Sequence, residues 1–239
     1  MQTVLIFLGI LLVGYIIVQF FYTSHYFSVG SKLTKTTYAR KTTLGSSNNP
    51  TFKLWIAGDS VGAGVGASSF ENSVAGRLGE YFAKDHQVIF ENVSVSGNKV
   101  EDVVSGPSPS EKQDLIVLIV SSNNLFRFTS MKDFASNVPK LFTKFSPLAD
   151  KVILIGPGRI SNSTAIPLPM RPLYVLEGPK YAKILKSEAA KFNNVVYVDP
   201  LEHPLEDNKF GNIEAADHFH PNDSGHKYWF DLIVESLSK

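Results

Sequence analysis

Residues 53–62 read KLWIAGDSVG: an apolar run, Lys53–Ala57, that breaks at once into Gly58-Asp59-Ser60-Val61-Gly62. The run suits a short buried strand, and the glycines permit a sharp turn. A serine on such a strand-to-helix turn stands exposed at the end of a sheet, with a helix N-terminus behind it. The same alternation continues downstream. Asn72–Lys84 has helical spacing, with Val74, Leu78, Tyr81 and Phe82 on one face, and Val88–Val95 is a second strand. Leu115–Val120 (LIVLIV) is the unbroken apolar run expected of a strand covered on both faces. Ser130–Phe145 is a helix that must accommodate Pro139, and Val152–Ile155 is a fourth strand ending at Gly156-Pro157-Gly158. A helix over Pro179–Lys191, a strand over Val195–Val198 and a closing helix over Asp223–Leu237 complete the pattern. Strand and helix in alternation predict an α/β domain over residues 52–239: three layers, α/β/α, around a five-stranded parallel sheet. In such sheets ligands bind beyond the carboxyl ends of the strands, so function is sought directly after each strand.

Composition narrows the function classes. Across 239 residues there are 23 Lys+Arg and 22 Asp+Glu, a net charge of +1, which lacks the basic excess of a nucleic-acid binder. Hydrophobic residues at 44% exclude a wholly disordered chain. With no cysteine there is no disulfide framework, cysteine nucleophile or zinc ribbon.

The charges are strongly segregated: no Asp, Glu, Lys or Arg precedes Lys32. Within that stretch Val4 to Tyr22 is nearly all apolar and, as a helix, spans about 28 Å, close to a bilayer core. It shows no polar face, against a soluble core helix. It has no basic leader and no small-x-small site before Phe20, Phe21 and Tyr22, against a cleaved signal peptide. Residues 1–30 are therefore expected to be a transmembrane anchor that makes the membrane a partner. The polar segment 31–51 (SKLTKTTYARKTTLGSSNNPT) is expected to be a tether. Lys32, Lys35, Arg40, Lys41 and Lys53 precede the first acid, Asp59, which favours a cytoplasmic domain under the positive-inside rule. Large domains also translocate despite their charge, which leaves the opposite side open.

Polar clusters follow the strands in turn: Gly58-Asp59-Ser60, then Ser94-Val95-Ser96-Gly97-Asn98, then Ser121-Ser122-Asn123-Asn124. Asp217-His218-Phe219-His220-Pro221-Asn222 precedes the last helix. A serine hydroxyl is a weak nucleophile until a base takes its proton. Asp and His three residues apart can hold a carboxylate on an imidazole N–H, leaving His220 as that base. An Asn amide and a glycine backbone N–H are donors suited to a developing oxyanion.

These blocks, in this order over residues 53–238, resemble the SGNH (GDSL-type) hydrolases. The resemblance implies the flavodoxin-like SGNH hydrolase fold and a serine esterase acting on carboxylic ester or thioester bonds without any metal or organic cofactor. It implies Ser60 as nucleophile, His220 as base, Asp217 as its partner, and an oxyanion hole of Ser60, Gly97 and Asn123. Two residues depart from the family pattern: Ser121 stands where glycine is usual and Asn124 where aspartate is usual. Ser121 is expected to narrow the approach to the oxyanion site. The departures keep a second reading open, a weakened module that binds acylated glycan or lipid.

Other motifs point elsewhere. His218, His220 and His226 lack metal-site spacing, and Gly62–Ala67 matches a dinucleotide fingerprint only in isolation. Asn92, Asn162 and Asn222 begin N-x-Ser/Thr sequons that matter only in a glycosylating host. The 23-residue connection Gly156–Gly178 is longer than usual, and Ile166, Leu168, Met170, Leu173 and Tyr174 are candidates for a substrate acyl pocket or for packing on the domain.

Overall fold

The computed structural model describes residues 2–203 and 212–238. Its sheet has six strands: β1 (Lys41–Leu44), β2 (Thr51–Gly58), β3 (Gln87–Asn92), β4 (Gln113–Ile119), β5 (Ala149–Ile155) and β6 (Val195–Val198). The spatial order is β1-β3-β2-β4-β5-β6, with β2 to β6 mutually parallel. The five parallel strands are those expected. The sixth is an addition, antiparallel to β3 and drawn from the segment read as a tether. It carries no apolar periodicity because it lies at the sheet edge with half its side chains exposed. Just before it, the Tyr38 backbone N–H bonds to the Ala63 carbonyl at 2.8 Å, so this part of the segment lies on the domain.

Seven α-helices occur among the described residues: α1 (Gln2–Leu33), α2 (Val74–Ala83), α3 (Val100–Ser105), α4 (Ser122–Phe126), α5 (Met131–Phe145), α6 (Arg171–Ala189) and α7 (Asp223–Ser236). Alternate residues of the central strands serve opposite faces, as the pleat requires. Trp55, Ile116, Leu118, Val152 and Leu154 pack with α3, α5 and α6. Leu54, Ile56, Leu115, Val117 and Ile153 pack with α2 and α7. Burial on both faces is why LIVLIV carries no polar position.

Two elements depart from the sequence reading. Pro139 does not delay α5, which starts at Met131 behind the Ser130 cap and runs through the proline. The long connection is shorter than expected, because α6 begins at Arg171 with Pro172 in its first turn. Pro179 sits inside α6 on its exposed side.

The first crossover runs from β2 to β3, and the next passes back over β2 to β4. That reversal opens a crevice beyond the carboxyl ends of β2, β3 and β4. α1 meets the three criteria of length, apolarity and low charge for a membrane span or a signal sequence, and its most apolar window is unburied.

Candidate active site

Ser60 follows β2 on a turn held from several sides. Gly58 must be glycine, since a Cβ there lies 2.0 Å from the Ile119 carbonyl oxygen of β4. Buried Asp59 accepts the Val61 N–H at 3.0 Å. Burial pushes its carboxyl up to about 7, against the opposing pull of that amide and of His220. Asn92, at the end of β3, donates to the Gly62 carbonyl at 2.8 Å and accepts from the Ser94 N–H at 3.0 Å. One buried amide thereby ties the Ser60 turn to the loop that carries Gly97. Sequence reasoning saw Asn92 only as a sequon.

Gly97 has φ +89°, a conformation glycine adopts without penalty. Asn123 lies in α4, and its side-chain amide donates to the Asn98 carbonyl at 3.0 Å. That bond uses one of the two amide hydrogens and fixes the direction of the other.

His220 is presented by a short loop ahead of α7. Ala215 and Asn222 bond back across it, N–H to carbonyl, at 2.8 and 2.9 Å. The Asn222 side chain caps α7 and also donates to the carbonyls of Asn212 and Glu214. The Asp217 Oδ2 lies 2.5 Å from His220 Nδ1, while Oδ1 accepts the N–H groups of Phe219 and His220 at 3.1 and 3.0 Å. Burial alone raises a carboxyl; here His220 and the two amides outweigh it and hold Asp217 below the ordinary aspartate value. Asp217 is thus kept ionised against the imidazole.

Ser60, Gly97, Asn123, Asp217 and His220 line one lobe of a cleft at the crevice. Ser60, Asn123 and His220 also line a second lobe, walled by Arg159, Asn162 and Trp229. Five residues spread over 160 positions are therefore brought to one place. The acyl-pocket expectation fares differently. Ile166 lines the first lobe, but Met170, Leu173 and Tyr174 line neither. The early start of α6 turns Leu173 outward, 43% exposed, and Tyr174 inward, where its ring stacks beside Phe126 and its hydroxyl donates to the Phe126 carbonyl. Phe126, which sequence reasoning passed over, reaches the cleft instead of Tyr174.

The two departures from the family pattern are buried and absent from the cleft lining. Ser121 does not narrow the approach, because its side chain points into the protein. Asn124 accepts the Val100 N–H at 2.9 Å and donates to the Glu101 carboxylate at 2.9 Å. An aspartate there would face Glu101 as a like charge, so the amide is what this neighbour requires.

No three-residue group of metal-ligating side chains occurs among the described residues. His226 is buried, accepts the Val74 N–H through Nδ1 and donates from Nε2 to the Val65 carbonyl. Burial lowers it to about 4, so it is a neutral brace between α7, α2 and the Ser60 turn.

Comparison with curated protein sequences returns no match. Among solved structures, a catalytic mutant of Axe2, an acetylxylan esterase from Geobacillus stearothermophilus, superposes with TM-score 0.58 at 20% identity, over 82% of this chain and 96% of that one. A two-domain esterase active on acetylated mannans gives TM-score 0.58 at 16% identity, over 80% of this chain and 50% of that one. LAE5, an alpha/beta hydrolase from the metagenome of Lake Arreo, Spain, gives 0.54 at 18%, over 80% and 96%. These likenesses are of fold. The model of the GDSL-like Lipase/Acylhydrolase family matches residues 56–228, more than two thirds of the chain, and the chain belongs to that family of ester-hydrolysing enzymes.

Proposed function

We propose that the chain is a membrane-tethered serine esterase working through Ser60, His220 and Asp217. Ser60 Oγ attacks the ester carbonyl carbon while the free His220 Nε2 accepts the hydroxyl proton. Asp217 holds the imidazole by Nδ1 and stabilises the imidazolium. The backbone N–H groups of Ser60 and Gly97 and the Asn123 amide receive the tetrahedral oxyanion. Collapse breaks the acyl C–O bond, and His220 returns the proton to the departing alcohol. Water then attacks the acyl-enzyme with the same proton path in reverse, releasing the acid and restoring Ser60.

The observation that carries the reading is the shared cleft lining by these five residues, together with the 2.5 Å contact between Asp217 and His220. Burial of Ser121 and Asn124 away from that lining favours an active enzyme over a weakened binding module. A fluorophosphonate probe tests it. Labelling of wild type and its loss in Ser60→Ala are expected; a folded wild type that does not label refutes the proposal.

Tethering rests on α1. Lys32 in its last turn and Lys35 just after it are the basic residues nearest the apolar run and carry most of the bias toward a cytoplasmic domain, whereas Arg40 lies over the Phe70 ring on the domain. Protection from added protease in intact cells is the expected result, and digestion there reverses the orientation.

A further inference from the structure

We infer that the substrate is a membrane lipid ester, taken sideways from the leaflet that holds α1, and that the last turns of α1 form a wall of the catalytic cleft. The inference rests on the esterase and tether readings above and narrows their substrate class.

The first lobe of the cleft is not closed by the domain alone. Tyr26, Phe27 and Gly30 of α1 line it together with Ser60, Gly97, Asn123 and His220. The fit is close. The Tyr26 ring lies 4.5 Å from that of His218, and Phe27 lies 6.1 Å from Phe126. A Cβ on Gly30 would stand 2.9 Å from Asp217 Oδ2, so glycine is what lets the helix approach the carboxylate. A plain anchor has no reason to pack against the residues that activate the nucleophile.

Helix geometry then fixes the depth. The apolar run ends at Tyr22, and Gly30 lies eight residues further on, about 12 Å along the axis. With the run in hydrocarbon, the cleft lies in or just beyond the headgroup layer.

The surface beside the cleft matches that depth. Leu168, Leu173 and Leu176 are 60%, 43% and 64% exposed, and Phe128 is 41% exposed. Phe128 stacks on Tyr174, which stacks beside Phe126, which faces Phe27. Ring contacts thus run from the anchor through the cleft wall and the buried Tyr174 ring to exposed Phe128, beside the start of α6. Exposed apolar side chains grouped near a membrane helix in this way are suited to acyl chains and cost solubility anywhere else. At the polar end of the same lobe stands Arg127, whose guanidinium would be 3.5 Å from a Cβ on Gly97. It is placed to meet an anionic headgroup when the ester carbonyl reaches Ser60. Hydrolysis breaks the lipid acyl C–O bond, water supplying hydroxyl to the acyl carbon and hydrogen to the lysolipid oxygen.

The test uses the full chain reconstituted in phosphatidylcholine vesicles containing phosphatidylglycerol. Fatty-acid release, p-nitrophenyl acetate hydrolysis and fluorophosphonate labelling are measured together. Fatty-acid release at least tenfold above Ser60→Ala is expected. Phe27→Ala should lower lipid turnover relative to acetate turnover at least fivefold. Leu173→Asp with Leu176→Asp should lower fatty-acid release to a similar degree with labelling retained. A wild type that labels and cleaves p-nitrophenyl acetate but releases no fatty acid overturns the lipid inference and leaves the esterase standing. An unchanged lipid-to-acetate ratio in Phe27→Ala overturns the wall formed by α1. A folded wild type that neither labels nor cleaves either ester overturns the esterase reading and this inference with it.

Discussion

Ser121→Gly should stabilise this protein, although it removes a side chain from the interior. Ser121 has φ 100° and ψ −20°, a region where a Cβ crowds the backbone. Holding a non-glycine residue there costs about 1–3 kcal/mol. Its hydroxyl is buried without a hydrogen-bond partner among the described residues, which adds a desolvation cost of about 1–3 kcal/mol. Glycine removes both costs but gives the unfolded chain more freedom, worth about 0.5–1 kcal/mol against folding. Taking the lower ends of the two gains, the net is about 1–1.5 kcal/mol of stabilisation. For a domain of this size that is a rise of roughly 2–6 °C in Tm. The full chain in detergent, melted in parallel with Ser121→Ala, separates the contributions. Alanine removes the hydroxyl and keeps the strained Cβ but escapes glycine's entropic cost, so its gain should be about 1 kcal/mol, no larger than that of glycine. A Ser121→Gly protein that melts at or below wild type refutes the reasoning, and an alanine variant that melts above the glycine variant refutes the backbone strain.

Three further outcomes follow from the site. Asn124→Asp sets a second carboxylate against Glu101 and should cost about 2–3 kcal/mol near pH 8, lessening as the pH falls. The sign follows because one of the two carboxyls then has a raised folded-state pKa; denaturant midpoints across pH 5–8 test it, and a loss independent of pH excludes the like-charge account. Asp59 and His226 oppose each other between about pH 4.5 and 6.5. The raised Asp59, about 7 in the fold, stabilises increasingly as pH falls through that value, whereas His226, lowered to about 4, loses stability as pH falls below its unfolded value. Asp59→Asn keeps an acceptor for the Val61 N–H but removes the first contribution, so stability should fall more steeply from pH 6.5 to 4.5 than in wild type; a parallel profile counts against the raised Asp59. Asp217→Asn should lower ester hydrolysis by roughly 10³–10⁴ with unchanged circular dichroism, through loss of the ionised partner of His220, and near-wild-type turnover would show that Asp217 is not that partner.

Of the five parallel strands, β2, β4 and β5 were legible because they are buried on both faces, so their apolar runs stand out against their neighbours; β3 and β6, only partly buried, were legible from shorter apolar runs. β1 was not, since an edge strand needs only its backbone to pair and KTTL has no apolar signal. The start of α6 was hidden by Pro172, which read as loop, and by Pro179, which read as the first residue of the helix; they sit in its first turn and on its exposed side. Among the site residues, Asp217 and His220 could be paired from their spacing, because three residues of chain limit how far apart they can lie. Asn92 and Asn222 could not be assigned their bracing roles, because their partners are carbonyls that any residue supplies.

By itself the sequence determined the alternation of strand and helix, the unusually apolar start and the order of the polar clusters, since these are local patterns of side-chain chemistry. Tertiary structure decided what those clusters meet. Only the reversal of strand order at β2 brings residues 60, 97, 123, 217 and 220 to one crevice. Only packing set Gly30 against Asp217 and turned Tyr174 inward and Leu173 outward. Convergence of distant segments depends on chain path and close packing, which no local run of residues encodes alone.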